Sequence, residues 1–179
     1  MMDKWEEYRA ESVAALEKVC RRLGSIDGKL ENINLEFAGI KKSTGMMTEE
    51  CFYDALQDSL SLGEVHFNYI ERNIKGISEM KDGTVVKGEY DLVMTSRDAV
   101  GVVETKYRVR KDDVLDLADR KVKSFRVLFP HYDDRPIYLG IGGLSFDEGA
   151  KDAAKDLGIA VLKVKGEKVE VGGKELKVY

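Results

Sequence analysis

The chain has 179 residues, 43% of them hydrophobic and 35% charged, with a formal net charge of −4 at pH 7. That length suffices for one well-cored domain plus an appendage, and the composition is that of a soluble protein. The acidic balance speaks against a surface that grips nucleic acid everywhere and leaves that task to local basic clusters.

No apolar run approaches the ~20 residues needed to cross a bilayer. The opening MMDKWEEYRA lacks the apolar stretch of a signal peptide, so the cytoplasm is the expected compartment, with no membrane partner. Cys20 and Cys51 form no CxxC pair, which excludes a disulfide framework or a zinc ribbon; both fall in helical patterns and are expected to pack in a core.

Residues 3–40 are the most periodic part of the chain. Leu16, Val19, Leu23, Ile26, Leu30, Ile33, Phe37 and Ile40 follow alternating steps of three and four, an a/d heptad seam with charged residues on the other faces. One amphipathic helix lying on its own domain gives such a pattern too, but strict alternation over this length favours self-association, as a homodimer. Gly24 and Gly28 each cost a helix ~1 kcal/mol and mark where the rod could break.

Ser43-Thr44-Gly45 interrupts the pattern, which places an N-terminal helical arm at 1–44 and a second domain at 45–179. Thr48 is expected to cap a helix from Glu49 to Ser61 with Phe52, Tyr53, Leu56 and Leu60 on its apolar face. Glu49 shares that face, whereas Glu50 is turned about 100° away from it. Val65–Asn73 is expected to be a strand, and Lys81-Asp82-Gly83 a turn. His66 has no partner histidine at ligand spacing and is taken as structural.

The segment EYDLVMTSRDAVGVVETKYRVRK, residues 89–111, organises the rest. It reads as two adjacent strands, Val85–Ser96 and Ala99–Tyr107, joined by a polar turn at Arg97-Asp98. Alternation places Glu104 and Lys106 on the face that Val100 and Val102 share, with Val103 and Thr105 on the other. Asp91 in the neighbouring strand can bring a second carboxylate alongside. An ion pair at a strand end explains a lone Glu-x-Lys. A buried charge also persists where it is paired or binds a metal.

Further on, Asp112-Asp113 opens a helix expected to reach Phe129, with Val114, Leu117, Ala118, Val122, Phe125 and Phe129 as its buried stripe. Arg120, Lys121, Lys123 and Arg126 are assigned to its outer surface. Pro136–Gly142 and Gly158–Val164 read as strands around a helix at Asp147–Leu157. Lys168–Val171 and Glu175–Val178 read as a closing hairpin around Gly172-Gly173. Gly140, Gly142 and Gly143 lack both phosphate-loop frames.

The arrangement of Asp91, Glu104 and Lys106, with the last two closing a hydrophobic strand, resembles the PD-(D/E)XK nuclease superfamily, Tyr90 standing where its name has proline. The runs EECFYDAL, EYDLV, VVETKYRV, SFRVLFPHY, IYLGIGGLSF and GIAVLKVKG extend the likeness. They are similar to a group of uncharacterised bacterial proteins with a coiled-coil N-terminal arm and a nuclease-like C-terminal domain. The resemblance implies a restriction-endonuclease-like α/β fold, a mixed sheet flanked by helices in the order αβββαβ. It also implies Mg2+ or Mn2+ held by Asp91, Glu104 and the Thr105 carbonyl, with Lys106 serving the attacking water. Glu49 would support the metal, an alternative being that it only favours the helix start through the macrodipole. The implied substrate is nucleic acid, DNA in the first place, drawn by Arg108, Arg110, Lys111, Arg120 and Lys123. Two other readings stay open: a non-catalytic nucleic-acid-binding or assembly module on the same fold, and a chain whose working part is the arm.

Overall fold

The computed structural model describes residues 4–166, 168–173 and 175–179; among the seam residues, the side chain of Phe37 lies outside that description. The chain divides into two compact units, Met1–Ser43 and Thr44–Tyr179. A single helix, α1, covers Lys4–Ser59, so the expected stop at Ser43-Thr44-Gly45 and the expected cap at Thr48 are both corrected. Serine, threonine and glycine cost a helix interior only about 0.5–1 kcal/mol each. The Thr48 hydroxyl, moreover, donates back to the Thr44 carbonyl at 2.8 Å instead of capping. The helix stops where Leu60 turns left-handed at φ 44°, its N–H bonded to the Leu56 carbonyl at 2.7 Å.

In the second unit a two-residue hairpin, β1 (Ser61–Leu62) and β2 (Val65–His66), comes first. The strand expected over Val65–Asn73 is thus divided, because Phe67 turns into the core before β3 begins. β3 (Tyr69–Glu79), β4 (Val85–Thr95) and β5 (Val100–Val109) form an antiparallel meander. A helical crossover then leads to β6 (Ile137–Phe146), parallel to β5. Next come α4 (Ala150–Asp156) and β7 (Ala160–Lys165), parallel to β6, and then β8 (Lys168–Gly172), antiparallel to β7. The result is a six-stranded mixed sheet in the order β3-β4-β5-β6-β7-β8. With the end of α1 ahead of it and helices between β5 and β6, the element order is the expected αβββαβ. The expected hairpin of 168–171 with 175–178 is corrected: β8 pairs with β7, and the Lys177 and Tyr179 N–H groups instead bond the carbonyls of Gly158 and Ile137.

Two apolar clusters cover the two faces of the sheet. One holds Val93, Val102, Leu139 and Ile141 with Val114, Leu117, Phe125 and Ala154 from the crossover helices and α4. The other holds Leu92, Met94, Val103 and Leu162 with Phe52 and Leu56 of α1. Gly142 lets α1 approach, since a Cβ there would stand 3.2 Å from the Phe52 ring. Cys20 and Cys51 are exposed, which corrects the expectation of core cysteines: Cys20 lies off the apolar seam, and Cys51 is turned away from the Phe52–Leu56 face. Among the described residues no helix is long and apolar enough to cross a membrane.

Alternation along β3 and β4 inverts once. Ile70 and Leu92 pack in the cluster under α1, yet Ile74 and Tyr90, an even number of residues away, pack in the opposite one. The inversion falls at Asn73 opposite Asp91, the one unbridged position between β3 and β4, where Asn73 takes a left-handed φ of 56°. Asparagine tolerates that conformation better than most residues with a side chain. Asp91 therefore belongs to neither face.

A Cβ added at Gly24 or Gly28 would meet nothing within 4 Å. Each Gly→Ala change should stabilise the helix by ~1 kcal/mol, so Gly24→Ala/Gly28→Ala should raise the thermal midpoint of the helical circular-dichroism signal. A lowered midpoint would contradict a continuous helix through these positions.

Candidate active site

The antiparallel ladder between β4 and β5 ends at Leu92 opposite Val103. One residue further, the Asp91 side chain takes over as the partner of β5. Its Oδ2 accepts the Thr105 N–H at 2.7 Å and the Thr105 hydroxyl at 3.1 Å. A carboxylate accepting from a backbone amide makes a stronger bond than a neutral acceptor would. It holds the start of the Thr105-Lys106 segment where the two strands part.

Glu104 is almost fully buried, 3% exposed, on the face of the crossover helices. Its Oε1 accepts from Lys121 Nζ at 2.5 Å, and its Oε2 lies 3.7 Å from Lys106 Nζ. The Lys106 side chain is 43% exposed and that of Lys121 only 22%. Lys121 also donates to the Glu89 carbonyl at 2.7 Å and lies 5.4 Å from the centre of the Tyr90 ring. The Tyr90 hydroxyl donates to the Lys121 carbonyl at 3.2 Å, and burial, with Glu104's charge, pushes its pKa up to about 12.

Lys121 was assigned to the outer surface, and the structure corrects this. The single helix expected from Asp112 to Phe129 is α2 (Lys111–Asp116), a π-turn (Leu117–Lys121) and α3 (Val122–Leu128). A π-turn inserts a residue into the helical count, and such turns gather at functional sites. Here it brings Lys121 in over Glu104 while Val122 stays buried. A signal was present: Lys121 stands four residues after Leu117 and four before Phe125, on the buried stripe by spacing. Asn73, which meets Glu49, had no comparable signal.

Glu49 reaches the same region from α1. It is hydrogen-bonded to the Asn73 side chain, and burial followed by the charge of Asp91 raises its carboxyl above the ordinary range. Glu104 is raised in the same way, by burial first and Asp91 second, against the opposing pull of Lys121 and Lys106. Of the sequence-derived residues, Thr105 is thus bonded to Asp91, Glu49 and Glu104 feel its charge, and Lys106 joins the group through its ion pair with Glu104. Glu104, Lys106 and Lys121 also line a cavity of about 210 Å³ with Asp113, Asp116 and Arg120. That is below the roughly 300–1,000 Å³ of small-molecule pockets, so it suits water and part of an extended ligand. Among the described residues, no three His, Cys, Asp or Glu side chains stand together as a metal cluster.

The basic residues expected to meet phosphates are mostly paired. Arg108 bonds Asp147, Arg120 bonds Asp116 at 2.5 and 2.7 Å, and Lys123 bonds Asp119. Arg110 and Lys111 lie exposed at the start of α2, the Arg110 N–H bonded to Asp113 at 2.7 Å. Exposed pairs of this kind contribute about 0–1 kcal/mol and exchange readily for another anion.

The raised Glu104 carboxyl has a defined sign. The stability it contributes is present below the ordinary carboxylate pKa and is lost as pH rises through its elevated folded value. Glu104→Gln keeps an acceptor for Lys121 without the buried charge. The thermal midpoint of this variant relative to wild type should therefore be more favourable near neutral pH than near pH 4. An offset independent of pH would contradict this account of Glu104.

No protein-family model matches the chain, and no curated protein matches it. Among solved structures it is similar to AF1548, a protein of unknown function, at 14% identity and a TM-score of 0.41, over 63% of this chain and 55% of that one. VC1899 from Vibrio cholerae matches at 15% identity and a TM-score of 0.43, over 65% of this chain and 28% of that one. EndoMS in its apo form matches at 19% identity and a TM-score of 0.39, over 65% of this chain and 46% of that one. The chain therefore spans about half or less of the length of each of these neighbours.

Proposed function

We propose that the second unit is a metal-dependent nuclease that hydrolyses phosphodiester bonds of nucleic acid, DNA in the first place. The observation that carries this reading is Asp91 bonded to Thr105, the residue between Glu104 and its ion-pair partner Lys106, where the β4–β5 ladder opens.

The donor set suits a hard dication. Its groups are oxygens, and the carboxyls of Glu49 and Glu104 are raised in part by the negative charge of Asp91, which a cation would relieve. Asp91, Glu104 and the Thr105 carbonyl, supported by Glu49, would hold Mg2+ or Mn2+. The ion would supply positive charge at the phosphorus and a more acidic water. Glu104 must first exchange Lys121 for it, since the ammonium stands at 2.5 Å from its Oε1. Lys106, half-exposed beside the buried acid, orients the attacking water and stabilises the charge that develops on the phosphate. Arg110 and Lys111 meet the backbone of the substrate, joined by Arg108, Arg120 and Lys123 as they trade their acidic neighbours for phosphates. Self-association of the arm through its apolar seam belongs to the same proposal.

One observation favours a second reading. Lys121 already neutralises Glu104 without any ion, which fits a nucleic-acid-binding module that keeps the constellation for its structural use.

Lys106→Ala should lower Mg2+-dependent cleavage by roughly 10²-fold or more while manganese binding, followed by calorimetry, stays near wild type. Asp91→Asn keeps an acceptor for Thr105 and should weaken metal binding and cleavage together. Single- and double-stranded DNA and RNA are the substrates to compare. Undiminished cleavage by Lys106→Ala would place the active site elsewhere. Salt-dependent binding without cleavage under any divalent ion would establish the second reading.

A further inference from the structure

The arm carries more information than its periodicity. In the heptad frame set by the seam, Leu16, Leu23, Leu30 and Phe37 stand at a and Val19, Ile26, Ile33 and Ile40 at d; the first three layers hold Leu16, Val19, Leu23, Ile26, Leu30 and Ile33. All six lie in the unbroken helix α1 and are between 47% and 64% exposed. Apolar side chains of this size repeated along one stripe favour burial against a partner.

The identity of the residues selects the partner. Strand number in a parallel coiled coil depends on how a and d side chains enter the facing helix. A β-branched residue at a with leucine at d suits two strands. Leucine at a with isoleucine at d turns the side chains the other way and suits four. The arm has the second arrangement in the two heptads from Leu23 to Ile33, with valine replacing isoleucine at position 19 and phenylalanine replacing leucine at position 37.

The flanking charges select the orientation. In parallel, in-register strands a g residue faces the e residue five positions later on the neighbour. That brings Arg22 to Asp27 and Lys29 to Asn34, and the sequence repeats the theme with Glu36 at g and Lys41 at e. None of these meetings sets like charges together. Gly24 and Gly28 occupy the outward b and f positions and leave the seam intact.

We propose that the arm assembles with three further copies of this chain as a parallel four-stranded coiled coil. The inference rests on the reading of the arm as a self-association element and replaces its strand number of two with four.

Sedimentation equilibrium of the full chain tests it. The expected mass is four times the 20.1 kDa of one chain. Exchanging the layers, with isoleucine at 16, 23 and 30 and leucine at 19, 26 and 33, should shift the assembly from four chains to two. Arg22→Glu should weaken association, and adding Asp27→Arg in the same chain should restore it. A wild-type dimer would overturn the four-stranded proposal while leaving self-association in place. A monomer at high concentration would overturn both, and failure of the charge-reversed pair to restore association would overturn the parallel register.

Discussion

The site depends on one hydrogen bond pattern, the Asp91 carboxylate accepting both the N–H and the hydroxyl of Thr105. Backbone pairing between β4 and β5 ends just before it. Without a substitute acceptor, the Thr105 amide would stand unpaired in a nearly buried environment, at a cost of roughly 1–3 kcal/mol. A side chain can fill that place only if it leaves the normal alternation. The left-handed Asn73 across the ladder, and the inversion it marks, turn Asp91 into the seam. The same bond places Thr105 and Lys106 at the edge of the opening, while Glu104 remains inside.

Charge at the seam is arranged in a gradient. Glu104 is buried, Lys121 is mostly covered, Lys106 is half-exposed, and Arg120 of the π-turn reaches water. An unpaired buried carboxylate would be costly, and the π-turn relieves this by lowering an ammonium onto it. Lys121 thereby pairs Glu104 from within the fold. A dication at Glu104 would have to displace it, so metal binding on this account is coupled to a movement of one lysine.

How far the sequence discloses this arrangement depends on the range of the causes. Local periodicity reveals β4 and β5 and the faces of Glu104 and Lys106, because alternation is a property of a few neighbouring residues; Asp91 leaves that alternation, so its exact placement is not legible in it. The element order αβββαβ follows from the same patterns. Long-range causes are hidden. Nothing in the strand pattern of β3 marks Asn73 as the point of inversion. Lys121 sits at a buried spacing, but a lysine there reads as surface until its partner is known to be Glu104. Thr48 resembles a cap by residue type, and only the continuous helix around it shows the hydroxyl bonding backwards. The C-terminal residues 175–178 do not form a strand because the Lys177 and Tyr179 N–H groups bond the Gly158 and Ile137 carbonyls, partners far away in sequence.

The most direct measurement is anomalous diffraction from crystals grown with manganese. The account predicts a peak within about 2.0–2.6 Å of oxygens of both Asp91 and Glu104, with Lys121 Nζ withdrawn from Glu104. Crystals saturated with manganese that show no peak there, and Lys121 still seated on Glu104, would contradict it.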